Sequence, residues 1–159
     1  MPRIELQNLS NDARIWIFGI SPALDERQSA LLLSRIDPFL DQWAAHGTPI
    51  TSARELREGS FLVVAVDKRS ETSGCSIDKM FGTLKQLEQE LAVTILDSTR
   101  VFQRDTAGKV AAVPRKEFRS TATADTVVFD VLAERLGDVR EGAWERRAAD
   151  SWHKALVAQ

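Results

Sequence analysis

Two stretches of the chain lack the apolar and polar alternation of a half-exposed strand: Arg14-Ile15-Trp16-Ile17-Phe18-Gly19-Ile20 and Phe61-Leu62-Val63-Val64-Ala65-Val66. β-Branched and aromatic side chains on both faces mark a strand covered on two sides, so both stretches are expected in the middle of a sheet. Thr51 to Glu58 differs, mixing Ala53 and Leu56 with Arg54, Glu55 and Arg57, which fits an edge strand. Gly59-Ser60 turns that strand into the second apolar run, and Asp67 ends it.

Helical spacing fills the gaps between these runs. Leu32, Ile36, Phe39, Leu40 and Trp43 recur at intervals of three and four, after Asp25 and Gln28 at the spacing of an imperfect capping box. Pro38 removes one backbone donor and is expected to kink or divide this helix, and Gly47 to terminate it, leaving His46 at its C-terminal end. After a polar loop from Lys68 to Gly74, the residues Ile77, Met80, Phe81, Leu84, Leu87 and Leu91 describe a second helix. Ile95 to Arg104 and Lys109 to Val113 read as strands joined through Thr106-Ala107-Gly108, with Pro114 closing the pair.

The order strand, helix, strand, strand, helix, strand predicts an α+β fold. Its expected core is a ferredoxin-like βαββαβ unit over 14–104, an antiparallel sheet with two helices on one face. In that topology the first and third strands are central, as their apolar patterns require. The opposite face then needs cover, either from the C-terminal extension 105–159 or from a second copy of the chain in a homodimer. Within the extension, Thr126 to Phe129 reads as a strand, while Gly137 and Gly142 interrupt any helix in the charged run Leu132 to Arg147. Met1 to Ala13 reads as an arm, and the whole of 1–159 as one domain.

Composition narrows the partners. At 159 residues and 43% apolar content the chain can form one core without disulfides or a structural metal. A net charge of −2, from 21 basic and 23 acidic residues, gives no bulk attraction to nucleic acid or to an anionic membrane. The apolar runs fall well short of the roughly 20 residues that span a bilayer. The start Met1-Pro2-Arg3-Ile4-Glu5 has no secretory or transit pattern, and the single Cys75 suits a reducing cytoplasm, the expected location.

The feature with most chemical promise is Ser73-Gly74-Cys75-Ser76-Ile77-Asp78. Free amides at a helix start attract anions and lower a thiol pKa. On one reading Cys75 is a catalytic nucleophile with His46 as its base, and Ser73, Gly74, Ser76 and Asp78 form a pocket for a small anionic ligand. On the other, Ser73 or Ser76 caps the helix, Gly74 supplies an unusual backbone conformation, Cys75 is a small buried apolar residue, and His46 complements a helix C-terminus. Asp67 and Asp78 flank the same connection and offer oxygen ligands to a divalent cation, but capping and solvent exposure account for both; no residue set has the spacing of a transition-metal site, and no cofactor is expected.

Further classes are excluded by motif. There is no Gly-x-x-x-x-Gly-Lys-Ser/Thr loop and no Gly-x-Gly-x-x-Gly after a strand, and Phe61 to Val66 lacks the aromatic and basic residues that stack RNA bases. Arg135, Arg140, Arg146 and Arg147 alternate with Glu134, Asp138, Glu141 and Glu145, the pattern of a solvated face. Trp16 and Trp43 follow core spacing, whereas Trp144 and Trp152, in polar surroundings, are expected to pin the C-terminal segment onto the domain or a partner. His153 is a weaker candidate than His46.

The blocks Ala13-Arg14-Ile15-Trp16-Ile17, Gln42-Trp43-Ala44-Ala45-His46-Gly47, Ala65-Val66-Asp67, Ser73-Gly74-Cys75-Ser76-Ile77-Asp78 and Ser151-Trp152 together resemble a family of small bacterial cytosolic proteins without established function. Its members often carry the label "ABC transporter ATPase", although this chain has no phosphate loop. The resemblance implies no catalytic residues. The expected function is a non-enzymatic domain that binds a small ligand or a protein partner; the alternative is a cysteine-dependent enzyme or thiol-reactive sensor using Cys75.

Overall fold

A computed structural model of the chain describes residues 3–157. Met1 and Pro2 of the expected arm lie outside the described residues, as do the last two residues of the extension; the rest of the arm holds a short 3₁₀ turn, Leu6–Asn8.

The fold is mixed α+β. The chain runs through β1 (Arg14–Gly19), α1 (Glu26–Gln42), the two-residue strands β2 (Ala44–Ala45) and β3 (Thr48–Pro49), β4 (Ser52–Arg57), β5 (Phe61–Val66) and α2 (Gly74–Leu91). The second half comprises β6 (Arg100–Arg104), β7 (Val110–Pro114), α3 (Arg115–Thr121), β8 (Val127–Phe129), α4 (Leu136–Arg140), β9 (Glu145–Arg147) and two 3₁₀ turns, Ala148–Asp150 and Trp152–Leu156.

All six residues of β5 are buried because a layer packs on each of its faces. Leu62, Val64 and Val66 point to the helices, where they meet Leu32, Ile36 and Leu40 of α1 and Met80, Leu84 and Leu87 of α2. Phe61, Val63 and Ala65 point the other way, into a second sheet of order β7-β6-β8-β9. There Phe61 meets Phe129 and Trp144 at ring separations of 4.8 Å. The face expected to need cover, from the extension or from a second copy, is covered by the chain's own C-terminal third, and Trp144 pins that third onto the domain. A third cluster, around the fully buried Phe118 of α3, closes the outer side of the second sheet.

The first sheet corrects the ferredoxin-like expectation. Its order is β1-β5-β4, antiparallel throughout, so the third strand is central but the first lies at an edge. The expected fourth strand begins in register, with Thr94 and Ser21 exchanging hydrogen bonds of 2.8 and 3.0 Å, and then leaves. The Glu88 carboxylate on α2 accepts from the amides of Ile95 and Leu96 at 2.7 and 2.9 Å, and Asp97 accepts from Thr99 N at 2.8 Å in a local turn. On the alternation set by Thr94, Leu96 N is the donor that would have faced Gly19 of β1; Glu88 occupies it, and the strand starts only at Arg100, in the other sheet.

Other boundaries also differ. Helix α1 has its complete capping box, Asp25 Oδ1 accepting from Gln28 N at 2.7 Å, but Pro38 does not divide it. Pro38 and Ser34, whose carbonyl loses its donor, are both exposed, so the missing bond does not leave a buried acceptor. His46 and Gly47 do not end α1; with φ of +51° and +78° they form the two-residue turn between β2 and β3, a geometry of the I′ type. Gly137 does not prevent α4. A β-carbon there would meet Asn11 at 3.1 Å, so the glycine lets α4 approach the N-terminal segment, where Gly137 N donates to Asn11 O at 2.9 Å.

Candidate functional site: an open strand edge

The departure of residues 95–99 leaves a gap along β1. Side-chain and hydrogen-bonding directions alternate along a strand, so each β1 residue turns its N–H and C=O either to β5 or to the outer edge. Ile20 N donates to Ser60 O beside β5, which sets the even residues on the inner side. Ile15 N donates outward to Glu134 O at 3.0 Å and Ser21 N outward to Thr94 O, which sets the odd residues on the outer side. Ile17 and Gly19 lie between those two closed ends. Their backbone groups face outward and have no hydrogen-bond partner among the described residues.

The gap is a groove of about 920 Å³. One wall is formed by Phe18, Phe81 and Leu96 on the helix side; the other by Phe102, Phe129, Val131 and Leu132 from the second sheet and the loop that follows it, with Trp152 and His153 beyond. Four large apolar residues are exposed among the described residues, and three of them line this groove: Phe81 at 37%, Trp152 at 38% and Leu132 at 67%.

Trp152 is held rather than loose. Its indole donates to Asp130 Oδ1 at 3.1 Å and stacks on His153 at 3.8 Å. His153 is 1% exposed, with Ser151 Oγ 2.7 Å from its Nδ1 and Phe118 6.0 Å away. Burial pushes its pKa down to about 4 against a partial opposing pull from Asp130, so the ring is neutral at pH 7.

Charge is concentrated at the groove's rim. Arg14, Arg100, Arg115 and Arg135 line it against Asp97 and Glu134. Arg100 is engaged with Asp97 at 3.2 Å. Arg14 lies over Trp16 at 4.3 Å and Arg115 is 6.0 Å from the Trp152 ring, orientations that hold the guanidinium groups at the rim.

The residues singled out in the sequence stand elsewhere. Ser73 and Ser76 form a reciprocal capping box on α2, with bonds of 3.1 and 2.8 Å, so both are occupied. The first turn of α2 also carries Gly74, Cys75 and Asp78, all exposed; a β-carbon at Gly74 would meet nothing within 4 Å. Cys75 is therefore not the buried apolar residue that one reading supposed. Trp43 Nε1 donates to Ser76 O at 2.8 Å, which ties the end of α1 to this turn and brings the hairpin bearing His46 alongside α2. No hydrogen bond joins Cys75 to His46 among the described residues, and neither lines the groove. Asp67 pairs with Arg69 at 3.1 Å, and among the described residues no group of three or more potential ligands could hold a metal. Of the groove's features Trp152 stood out in the sequence as a tryptophan in polar surroundings, expected to pin the C-terminal segment, whereas Arg135 read as part of a solvated face.

Compared with protein-family models, with curated proteins and with solved structures, the chain matches none. No helix among the described residues is long and apolar enough to cross a membrane.

Proposed function

We propose that the protein is a non-enzymatic interaction domain whose groove receives an extended polypeptide segment of a partner as an added strand on β1. The observation that carries this reading is the pair of outward-facing, unpartnered residues Ile17 and Gly19 in an apolar groove. A strand edge is a hydrogen-bonding template, and an added strand supplies its affinity through the backbone while flanking pockets select alternate side chains. The walls fit that division: one set of alternate residues would meet Phe18 and Phe81, the other Leu132 and Trp152. The groove is open for about five or six residues at roughly 3.3 Å each.

The thiol reading has one supporting feature, the exposure of Cys75 in the first turn of α2. Among the described residues it has no hydrogen-bonded base and it does not line the groove, and the groove is the stronger reading for that reason. The test is selection of a random heptapeptide display library on the immobilised protein, followed by amide hydrogen exchange with a selected synthetic peptide. Binding with new protection at Ile17 and Gly19 supports strand addition; failure to select any peptide, or selection without that protection, overturns it.

A further inference from the structure

Arg14 and Arg135 sit directly opposite each other in an isolated antiparallel bridge at one end of the open edge. Residues so placed project to the same face, and two like charges there repel. Neither guanidinium has an ion pair or a side-chain hydrogen bond among the described residues. Arg115, along the same groove, shares that condition; Arg27 and Arg119 are the only other arginines that do among the described residues. Glu134 is the one carboxylate of the lining without a cation, and the alternation of an extended chain turns it to the face opposite Arg135. A chain of net charge −2 has thus gathered uncompensated positive charge along the open edge of β1.

We infer that the segment received by β1 is acidic, with a carboxylate side chain meeting Arg14 and Arg135 at one end, a second meeting Arg115, and apolar side chains between them. This rests on the strand-addition reading and specifies its partner's chemistry. A carboxylate between Arg14 and Arg135 removes their mutual repulsion and accepts charge-assisted bonds from both forks. Nucleic acid would satisfy the arginines but not the backbone donors and acceptors of Ile17 and Gly19, which a polypeptide strand matches.

Three synthetic heptapeptides with one apolar centre and either Glu, Ser or Lys flanks test this by titration against the full chain, read by tryptophan fluorescence and by exchange at Ile17 and Gly19. The Glu-flanked peptide is expected to bind about tenfold more tightly than the Lys-flanked one at low salt, with the gap shrinking at high salt. Arg135→Glu is expected to reverse the ranking, and Arg115→Glu provides a second reversal should the first fail to fold; Arg135→Lys is expected to keep the original order. Protection at Ile17 and Gly19 with no ranking by charge, or a ranking untouched by reversal, overturns the acidic specificity while strand addition stands. Absence of protection with all three peptides, or displacement of the Glu-flanked peptide by a short oligonucleotide that leaves those amides unprotected, overturns both.

Discussion

The ring of Phe102 occupies the space that a β-carbon on Gly19 would take. Gly19 ends β1 and Phe102 lies in β6, so this contact seats the second sheet against the first at the floor of the groove. Gly19→Ala is expected to destabilise the fold by about 1–3 kcal/mol, the usual cost of overpacking. Phe102→Ala should cost roughly 3–5 kcal/mol through the cavity it leaves. Urea unfolding checks both, and because the two residues share one space, the double variant should lose less than the two single losses combined.

Leu132 is exposed in the free protein, so its value lies in binding. Leu132→Ala is expected to change stability by less than about 0.5 kcal/mol and to weaken a groove-binding peptide several-fold. Thermal melting and titration of the same preparation separate these effects. An unchanged affinity would remove Leu132 from the binding wall.

Glu88 keeps the groove open by holding the amides of Ile95 and Leu96. Glu88→Ala is expected to cost about 1–3 kcal/mol by leaving those donors unsatisfied. It also frees residues 96–99 to continue the pairing begun by Thr94 and Ser21. Exchange should therefore slow at Ile17 and Gly19 with no peptide present, and peptide affinity should fall.

Burial holds His153 neutral in the fold, with a pKa of about 4 against an ordinary 6.5. Between those values the unfolded chain binds more protons, so stability rises with pH. The contribution is complete above about pH 6.5, falls as the pH drops, and is lost below about 4, a change of roughly 3 kcal/mol. His153→Phe is expected to flatten this part of the profile. The carboxylates that hydrogen bonding with arginine holds low, Asp37 with Arg54 and Glu58 with Arg104, act in a separate window. Their contribution is present above the ordinary carboxylate range and is lost only at lower pH.

Cys75 is exposed and does not line the groove, so iodoacetamide should label it fully in the folded protein. Cys75→Ala should leave peptide affinity unchanged, as measured by titration. A loss of binding in either case would return the first turn of α2 to consideration.

Much of this architecture is legible in the amino-acid pattern. The double-sided apolar character of β5, the amphipathic faces of α1 and α2, the capping role of Asp25 and the hairpin turn at Gly108 all follow from local chemistry. The lateral position of β1 does not. A strand covered above and below reads the same whether its edges are paired or open, because side-chain pattern reports faces and not edges. The capture of Ile95 and Leu96 by Glu88 is likewise a contact between distant elements with no local signature, and it decided where the fourth strand went. For the candidate site, the small residues around Cys75 drew attention, yet Ser73 and Ser76 are spent on capping α2. Arg14, Arg115 and Arg135 converge only in three dimensions, and interleaved acidic residues hid Arg135 along the chain.

Residue-resolved amide exchange of the free protein tests the open edge most directly. Trp16 and Phe18, whose donors face β5, are expected to exchange slowly, and Ile17 and Gly19 between and beside them to exchange rapidly. Equal, slow exchange at all four residues would contradict the open edge, since it would mean that the outer side of β1 is already paired.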